Sequence, residues 1–147
     1  MAFVKNILAE KEGPVWSVTP ETSVVSALQL MAEKKVGAVL VINNGTIEGI
    51  FSERDYARKV AETECICLDV RVREMMTHPI YFASPEQTVE ECMTVMTARR
   101  IRHLPVLEDG KLVGIISIRD VVDWILSEKD TTIKGLENYI LGTQVIE

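Results

Sequence analysis

The chain has 147 residues, 16 Lys and Arg against 22 Asp and Glu for a net charge of −6, and 47% hydrophobic residues. That apolar content excludes an intrinsically disordered chain, and only 8 Gly and 5 Pro exclude a collagen-like or low-complexity one. No apolar run approaches the roughly 18 residues a membrane span needs, and an acidic chain with 3 Tyr, 3 Phe and 2 Trp is a poor match to a broad nucleic-acid surface.

Met1–Glu12 reads as a short amphipathic helix with Phe3, Ile7 and Leu8 on one side. It lacks the basic start, apolar run and small-residue cleavage site of a secretory leader, so a cytoplasmic protein is expected. Trp16–Val18 is extended and ends at Thr19-Pro20, because proline disfavours the helical region for the residue before it. A helix follows, with Val24, Leu28 and Met31 at i, i+4 and i+7. Strand Val36–Ile42, a hairpin turn at Asn43-Asn44-Gly45 and strand Ile47–Phe51 come next, and Ser52 opens a second helix. Residues 61–72 are polar and irregular and read as a linker.

The same elements then recur. Ile80–Ala83 is extended, and a helix with Val89, Met93 and Met96 starts at the capping-box pattern Thr88-x-x-Glu91. Strand Arg102–Leu107, the turn Glu108-Asp109-Gly110, strand Leu112–Ile116 and a helix from Ser117 complete the series. Ile133, Leu136, Tyr139 and Ile140 form a last helical stripe, a packing or dimer contact, stopped by Gly142.

Sliding the sequence by 65 residues aligns 18–60 with 83–125 without a gap, with eleven identities, among them Pro20/Pro85, Met31/Met96, Gly49/Gly114, Ser52/Ser117, Arg54/Arg119 and Asp55/Asp120. Average residue usage gives roughly two or three by chance. The chain is therefore a tandem α/β duplication of a β-α-β-β-α unit. Its expected divisions are an N-terminal helix over 1–14, a first repeat with linker over 15–75, a second over 76–130, and a C-terminal helix and tail over 131–147. A unit of about 60 residues buries only about 60% of its surface, so the two copies are expected to share a core.

Cys65, Cys67 and Cys92 are too few and odd in number for a disulfide framework. Cys65-x-Cys67 has no nearby Cys or His to complete a zinc set, so it reads as a loop pair beside a buried Cys92, and no metal is expected.

The sharpest signal is the pair GIFSERD (49–55) and GIISIRD (114–120). Ser-x-x-Asp at a strand-to-helix junction is close to a capping box, which alone explains its retention in both copies. The same geometry also suits a ligand: a helix N-terminus, a Ser hydroxyl and an Arg guanidinium can hold phosphate, and a carboxylate can accept both hydroxyls of a ribose. Arg99-Arg100-Ile101-Arg102-His103 focuses positive potential at the start of a strand. Arg99 and Arg100 suit a helix C-terminus, whereas Arg102 and His103 lie beyond it.

With Val36–Val41, the segment 72–77 (VREMMT) and RRIRHLPV at 99–106, this arrangement resembles a pair of CBS domains, the module named after cystathionine β-synthase, over roughly 15–127. The closest likeness is to small stand-alone bacterial CBS-pair proteins. The resemblance implies repeats packed with pseudo-two-fold symmetry around clefts for adenosine-containing ligands: AMP, ADP, ATP, NAD or S-adenosylmethionine. Asp55 and Asp120 would hold ribose, with Ser52, Arg54, Ser117 and Arg119 near phosphate. Val18, Thr19, Gly37, Ala38 and Val39 would enclose adenine in one cleft, and Ile80, Ala83, Arg102, His103 and Leu104 would line the other. Similar proteins often have Gly where Arg119 stands.

The expected function is a non-enzymatic regulatory sensor of adenine nucleotides, a homodimer signalling in trans to an unidentified protein, with neither nucleic acid nor membrane as partner. The rivals are an interaction scaffold in which both Ser-x-Arg-Asp segments only cap helices, and a nucleotide-processing enzyme. Against the enzyme, no nucleophile, base and orienting group assemble from the motifs.

Overall fold

The computed structural model describes residues 1–11 and 13–128. In chain order the elements are α1 (Val4–Glu10), β1 (Ser17–Val18), α2 (Val24–Lys34), β2 (Ala38–Asn43), β3 (Thr46–Ser52), α3 (Glu53–Thr63), a single 3₁₀ turn at Val72–Glu74, α4 (Val89–Arg99), β4 (His103–Glu108), β5 (Lys111–Ser117) and α5 (Ile118–Glu128). They fall into two compact units, one from residues 13–82 and one from residues 1–11 with 83–128. The stripe at 133–142 and the tail over 131–147 lie outside the described residues.

In the first unit β1 pairs parallel to β2, and β2 pairs antiparallel to β3. Asn44 and Gly45 both have positive φ, 50° and 80°, which is what a two-residue hairpin turn matched to strand twist requires. Asp109 and Gly110 repeat this at 52° and 75° between β4 and β5. Both hairpins carry a register shift at equivalent places, Val41/Ile42 and Val106/Leu107. Where Ile80–Ala83 is expected as a strand, Ala83 alone bridges Val106 in parallel.

Strands β2 and β4 begin later than the apolar pattern predicts, because the preceding helices use the intervening residues. Lys35 and Arg100 turn into the left-handed region at φ 56° and 55°. The next amides, Val36 and Ile101, then bond back to the Met31 and Met96 carbonyls, each at 3.0 Å, closing the helix ends. At the other end of α4 the Thr88 hydroxyl accepts from the Glu91 amide at 3.1 Å, which is the Thr half of the expected capping box.

Among the described residues each unit has its own buried cluster. Val24, Ala27, Met31, Val39, Val41, Phe51, Val72 and Met75 form the first. The second has Val4, Ile7, Ala83, Val89, Cys92, Met96, Leu104, Val106, Ile116 and Val121 at its centre. Each cluster includes residues from a segment outside the duplicated window. The Val72 and Arg73 amides bond to the Thr22 and Pro20 carbonyls at 2.8 and 3.2 Å. Those of Val4 and Lys5 bond to Gln87 and Pro85 at 2.9 and 3.0 Å, the positions 65 residues on. Residues 61–72 are therefore not a free linker: α3 runs to Thr63, and the Leu68 and Val70 carbonyls accept the Val25 and Val24 amides. Within this stretch Cys65 and Cys67 are joined in a disulfide with Cα atoms 5.3 Å apart. A separation of two residues keeps the Cα atoms in bonding range, so the expected loop pair closes a small local ring.

Gly49 and Gly114 mark where these segments cross the hairpins. A Cβ on Gly49 would lie 2.7 Å from Met76 Sδ and 2.9 Å from the Thr77 carbonyl oxygen, whereas one on Gly114 would meet Leu8 Cδ2 at 2.6 Å. Thr77 is fixed by reciprocal backbone bonds with Ile50 at 3.1 and 2.8 Å, but the tip of Leu8 can rotate away. Gly49→Ala is expected to destabilise by about 1–3 kcal/mol and Gly114→Ala by clearly less; urea-unfolding midpoints of the two variants check the order.

Candidate functional site

The Ser-x-x-Asp segments form matching strand-to-helix junctions. At the first, the Ser52 amide donates to Asp55 Oδ2 at 2.9 Å and the Asp55 amide donates to Ser52 Oγ at 3.1 Å. At the second, Ser117 and Asp120 repeat both bonds at 2.8 and 3.1 Å. The capping boxes are thus complete. The first amides of the two helices are also satisfied, Glu53 by the Gly37 carbonyl at 3.1 Å and Ile118 by the Arg102 carbonyl at 2.8 Å. The Arg54 and Arg119 amides are left as the first-turn donors without a partner among the described residues.

Strand pairing brings part of the expected site to these junctions. Ala38 lies opposite Ser52 and Val39 opposite Phe51, while His103 lies opposite Ser117 and Leu104 opposite Ile116. Val18 stands one strand further over, paired with Val41, as Ala83 is with Val106. The side chains of Val39, Ala83 and Leu104 are buried in the cores, so at these places only backbone can face a ligand. Thr19 is exposed, and its amide and hydroxyl both bond to the Thr22 hydroxyl, at 3.1 and 3.0 Å. Ile80 belongs to the unit of residues 13–82, whereas Ala83, Arg102, His103 and Leu104 belong to the other. Arg54 and Arg102 are exposed. Arg119 reaches Asp123, four residues along α5, at 3.9 Å. Arg99 and Arg100 end α4, Arg99 in its last turn and Arg100 at its C-cap.

Two partners of the carboxylates are missing from the sequence reading. The Thr77 hydroxyl donates to Asp55 Oδ1 at 3.0 Å. Lys11 Nζ donates to Asp120 Oδ2 at 2.6 Å and to the Ile115 carbonyl at 2.8 Å. Burial pushes the Asp120 carboxyl up, but the Lys11 ammonium and the Ser117 amide and hydroxyl together outweigh it, holding the group below the usual carboxylate range. Cys92 is the reverse case: burial, aided by the Glu91 charge, pushes its thiol up to about 11, which leaves it unreactive at neutral pH.

The sequence profile of the CBS domain matches residues 4–62 and 72–127, and the chain belongs to the CBS-domain family. It is 35% identical over 133 residues to the CBS domain-containing protein CBSX3, mitochondrial, of Arabidopsis thaliana, covering 87% of this chain and 64% of that protein. The chain thus spans less than two thirds of that relative's length. A solved protein with CBS domains from Burkholderia ambifaria is 44% identical with a TM-score of 0.83, over 87% of this chain and 96% of that one. The CBS domain protein PAE2072 of Pyrobaculum aerophilum, solved in complex with AMP, is 25% identical with a TM-score of 0.70, over 80% of this chain and 88% of that one. No helix among the described residues is long and apolar enough to cross a membrane.

The depressed Asp120 pKa fixes a sign. A carboxylate whose folded pKa lies below its unfolded value of about 3.9 adds stability above that pH, and the contribution disappears as pH falls through the folded pKa. Lys11→Met should therefore cost up to about 1 kcal/mol near pH 7, as partly exposed pairs do, and nothing once the pH has fallen through the folded pKa and Asp120 is protonated. Urea midpoints from pH 7 to 2.5 check this. A loss that persists in acid would mean that Lys11 acts through its aliphatic stem.

Proposed function

We propose that this protein is a non-enzymatic regulatory sensor that binds adenosine-containing ligands at the Ser52–Asp55 and Ser117–Asp120 junctions and signals in trans to a partner protein. The observation that carries this reading is the paired geometry. In each unit a carboxylate is held by its capping box at a helix N-terminus, beside one unpartnered amide and opposite the first residues of a strand. A carboxylate so fixed is preorganised to accept both hydroxyls of a ribose, and the Arg54 and Arg119 amides are suited to a phosphate oxygen. The complex of the Pyrobaculum relative with AMP supports the ligand class.

On this reading Gly37 to Val39 with Val18 and Thr19, and His103 and Leu104 with Ala83, supply backbone around the base. Arg102 adds positive potential to the second junction. AMP, ADP, ATP, NAD and S-adenosylmethionine are the ligands to compare. The protein acts in the cytoplasm as a homodimer, for which the exposed Val122 and Leu126 of α5 offer an apolar face. Ligand can act on the partner only through different affinities for two conformations.

A thermal-shift panel of AMP, ATP, NAD and S-adenosylmethionine tests the reading on wild type, Asp55→Asn and Asp120→Asn. Asparagine keeps an acceptor for the capping amide while removing the charge. A ligand at about 100 times its Kd stabilises by about 2.7 kcal/mol, and at about 2–4 °C per kcal/mol the wild type should gain several degrees. The Asn variants should lose much of that gain; unliganded, Asp55→Asn should change little, whereas Asp120→Asn should lose up to about 1 kcal/mol with its ion pair to Lys11. If none of the four compounds shifts the wild type, the sensor reading fails and the scaffold takes its place.

A further inference from the structure

The two junctions differ in what holds their carboxylates, and the difference is one of charge. At Asp55 both supporting donors come from Thr77 and are neutral: its amide bonds to the Ile50 carbonyl at 2.8 Å and its hydroxyl to Asp55 Oδ1 at 3.0 Å. At Asp120 one ammonium does both jobs. Lys11 Nζ bonds to the carbonyl of Ile115, the repeat equivalent of Ile50, at 2.8 Å and to Asp120 Oδ2 at 2.6 Å. Lys11 is not at the position equivalent to Thr77. It lies just beyond α1 and reaches the junction along its flexible stem.

Asp120 Oδ2 already accepts from both the Ser117 amide and Lys11. Ribose hydroxyls arriving at this carboxylate must share it with the ammonium or displace it. The pair is partly buried, with the Lys11 and Asp120 side chains 33% and 23% exposed, so its attraction is incompletely screened. A neutral nucleoside would weaken the ion pair and give the ammonium nothing in return. A phosphorylated one brings its own anion, to which Lys11 can turn while keeping its bond to the Ile115 carbonyl, since an ammonium has three donors. Asp123 lines the same space, and its own ion-pair partner is Arg119, 3.9 Å away in an exposed pair. Beside the pair lies a cavity of about 160 Å³, lined by Lys11, Asp120, Asp123, Trp124 and Ser127 among others, into which the ammonium can move. Trp124 Nε1 is buried with no hydrogen-bond partner among the described residues, a further donor beside the same space.

We propose that Lys11 is a specificity-determining residue that makes the Asp120 junction select phosphorylated adenosine ligands over neutral ones, while the Asp55 junction, supported by Thr77, makes no such distinction. This rests on the ligand class proposed above.

The test is calorimetric titration of adenosine and AMP into the Asp55→Asn protein, which isolates the second junction, and into the same protein carrying Lys11→Met or Lys11→Arg. With Lys11 present, AMP should bind about tenfold or more tightly than adenosine, the size of one charge-assisted contact. Lys11→Met should bring that ratio close to one, weakening AMP while leaving adenosine unchanged or tighter; Lys11→Arg should keep most of it. Melting curves of the unliganded variants verify that each is folded. An unaltered ratio, or equal weakening of both compounds, would overturn the assignment of Lys11 and leave the adenosine reading standing. If neither compound binds the wild type, this inference is overturned, and the adenosine reading falls with it when ATP, NAD and S-adenosylmethionine fail as well.

Discussion

The backbone bonds from Val72 to Thr22 and from Val4 to Gln87 hold each unit closed. A two-helix, one-hairpin body of this size buries too little apolar surface to be stable by itself, and in both units a short segment from outside the repeat fills the gap. Val72 and Met75 enter one core, and Val4 and Ile7 the other. The segments are anchored alike. The Arg71 amide is capped by Glu74 and the Phe3 amide by Asn6, and antiparallel bridges join Arg71 to Ser23 and Phe3 to Thr88. Residues 1–11 precede the first repeat in the chain yet complete the unit built on the second. The same segments run past Gly49 and Gly114 to the junctions, so closing the core and furnishing the site carboxylates with partners are one structural event.

Capping and ligand binding are rival explanations of a Ser-x-x-Asp motif, but the cap does not use up all the hydrogen-bonding capacity of its atoms. The box takes one oxygen of each carboxylate and the acceptor side of each serine. The serine hydroxyl hydrogen and the second helix amide remain, and the carboxylate is held in one rotamer. Such a cap reduces the entropy lost when a ligand is bound, because the group that meets it is already ordered. Retention of the motif in both copies thus follows from stability and leaves the junction ready for chemistry.

Much of this was legible in the sequence because it repeats at a fixed offset. The hairpins at Asn44-Gly45 and Asp109-Gly110, the helices beginning after Ser23, Ser52, Thr88 and Ser117, and the family itself follow from local patterns that tertiary packing does not override. Strand starts were less legible, since apolar Val36 reads as strand while its amide closes the preceding helix. The closing segments were hidden for another reason. They correspond at an offset of 68, not 65, and share one identity, Val4 with Val72. What they have in common is a pattern, Val-Lys-Asn-Ile-Leu against Val-Arg-Glu-Met-Met, in which apolar and polar positions correspond in kind but only the valine in identity. Lys11 and Thr77 lie at the ends of these segments, and no local rule says which carboxylate either will meet.

Duplication sets the two units equal, and the departures from equality are therefore the informative residues. The chain enters the strand facing the first junction through Gly37-Ala38-Val39-Leu40, and its counterpart through Arg102-His103-Leu104-Pro105. At the first junction the facing residues are small and uncharged and the carboxylate is supported by a threonine; at the second they include a basic and an imidazole side chain and the carboxylate is supported by a lysine. The added charges cluster at one junction although the protein as a whole is acidic, with a net charge of −6. Long-range potential is set by the whole surface, but contacts a few ångströms apart inside a partly buried junction are set by the nearest groups. The net acidic charge therefore disfavours an extended polyanion, while inside the second junction the balance is set by the Lys11 ammonium and the Asp120 carboxylate, 2.6 Å apart and partly buried together.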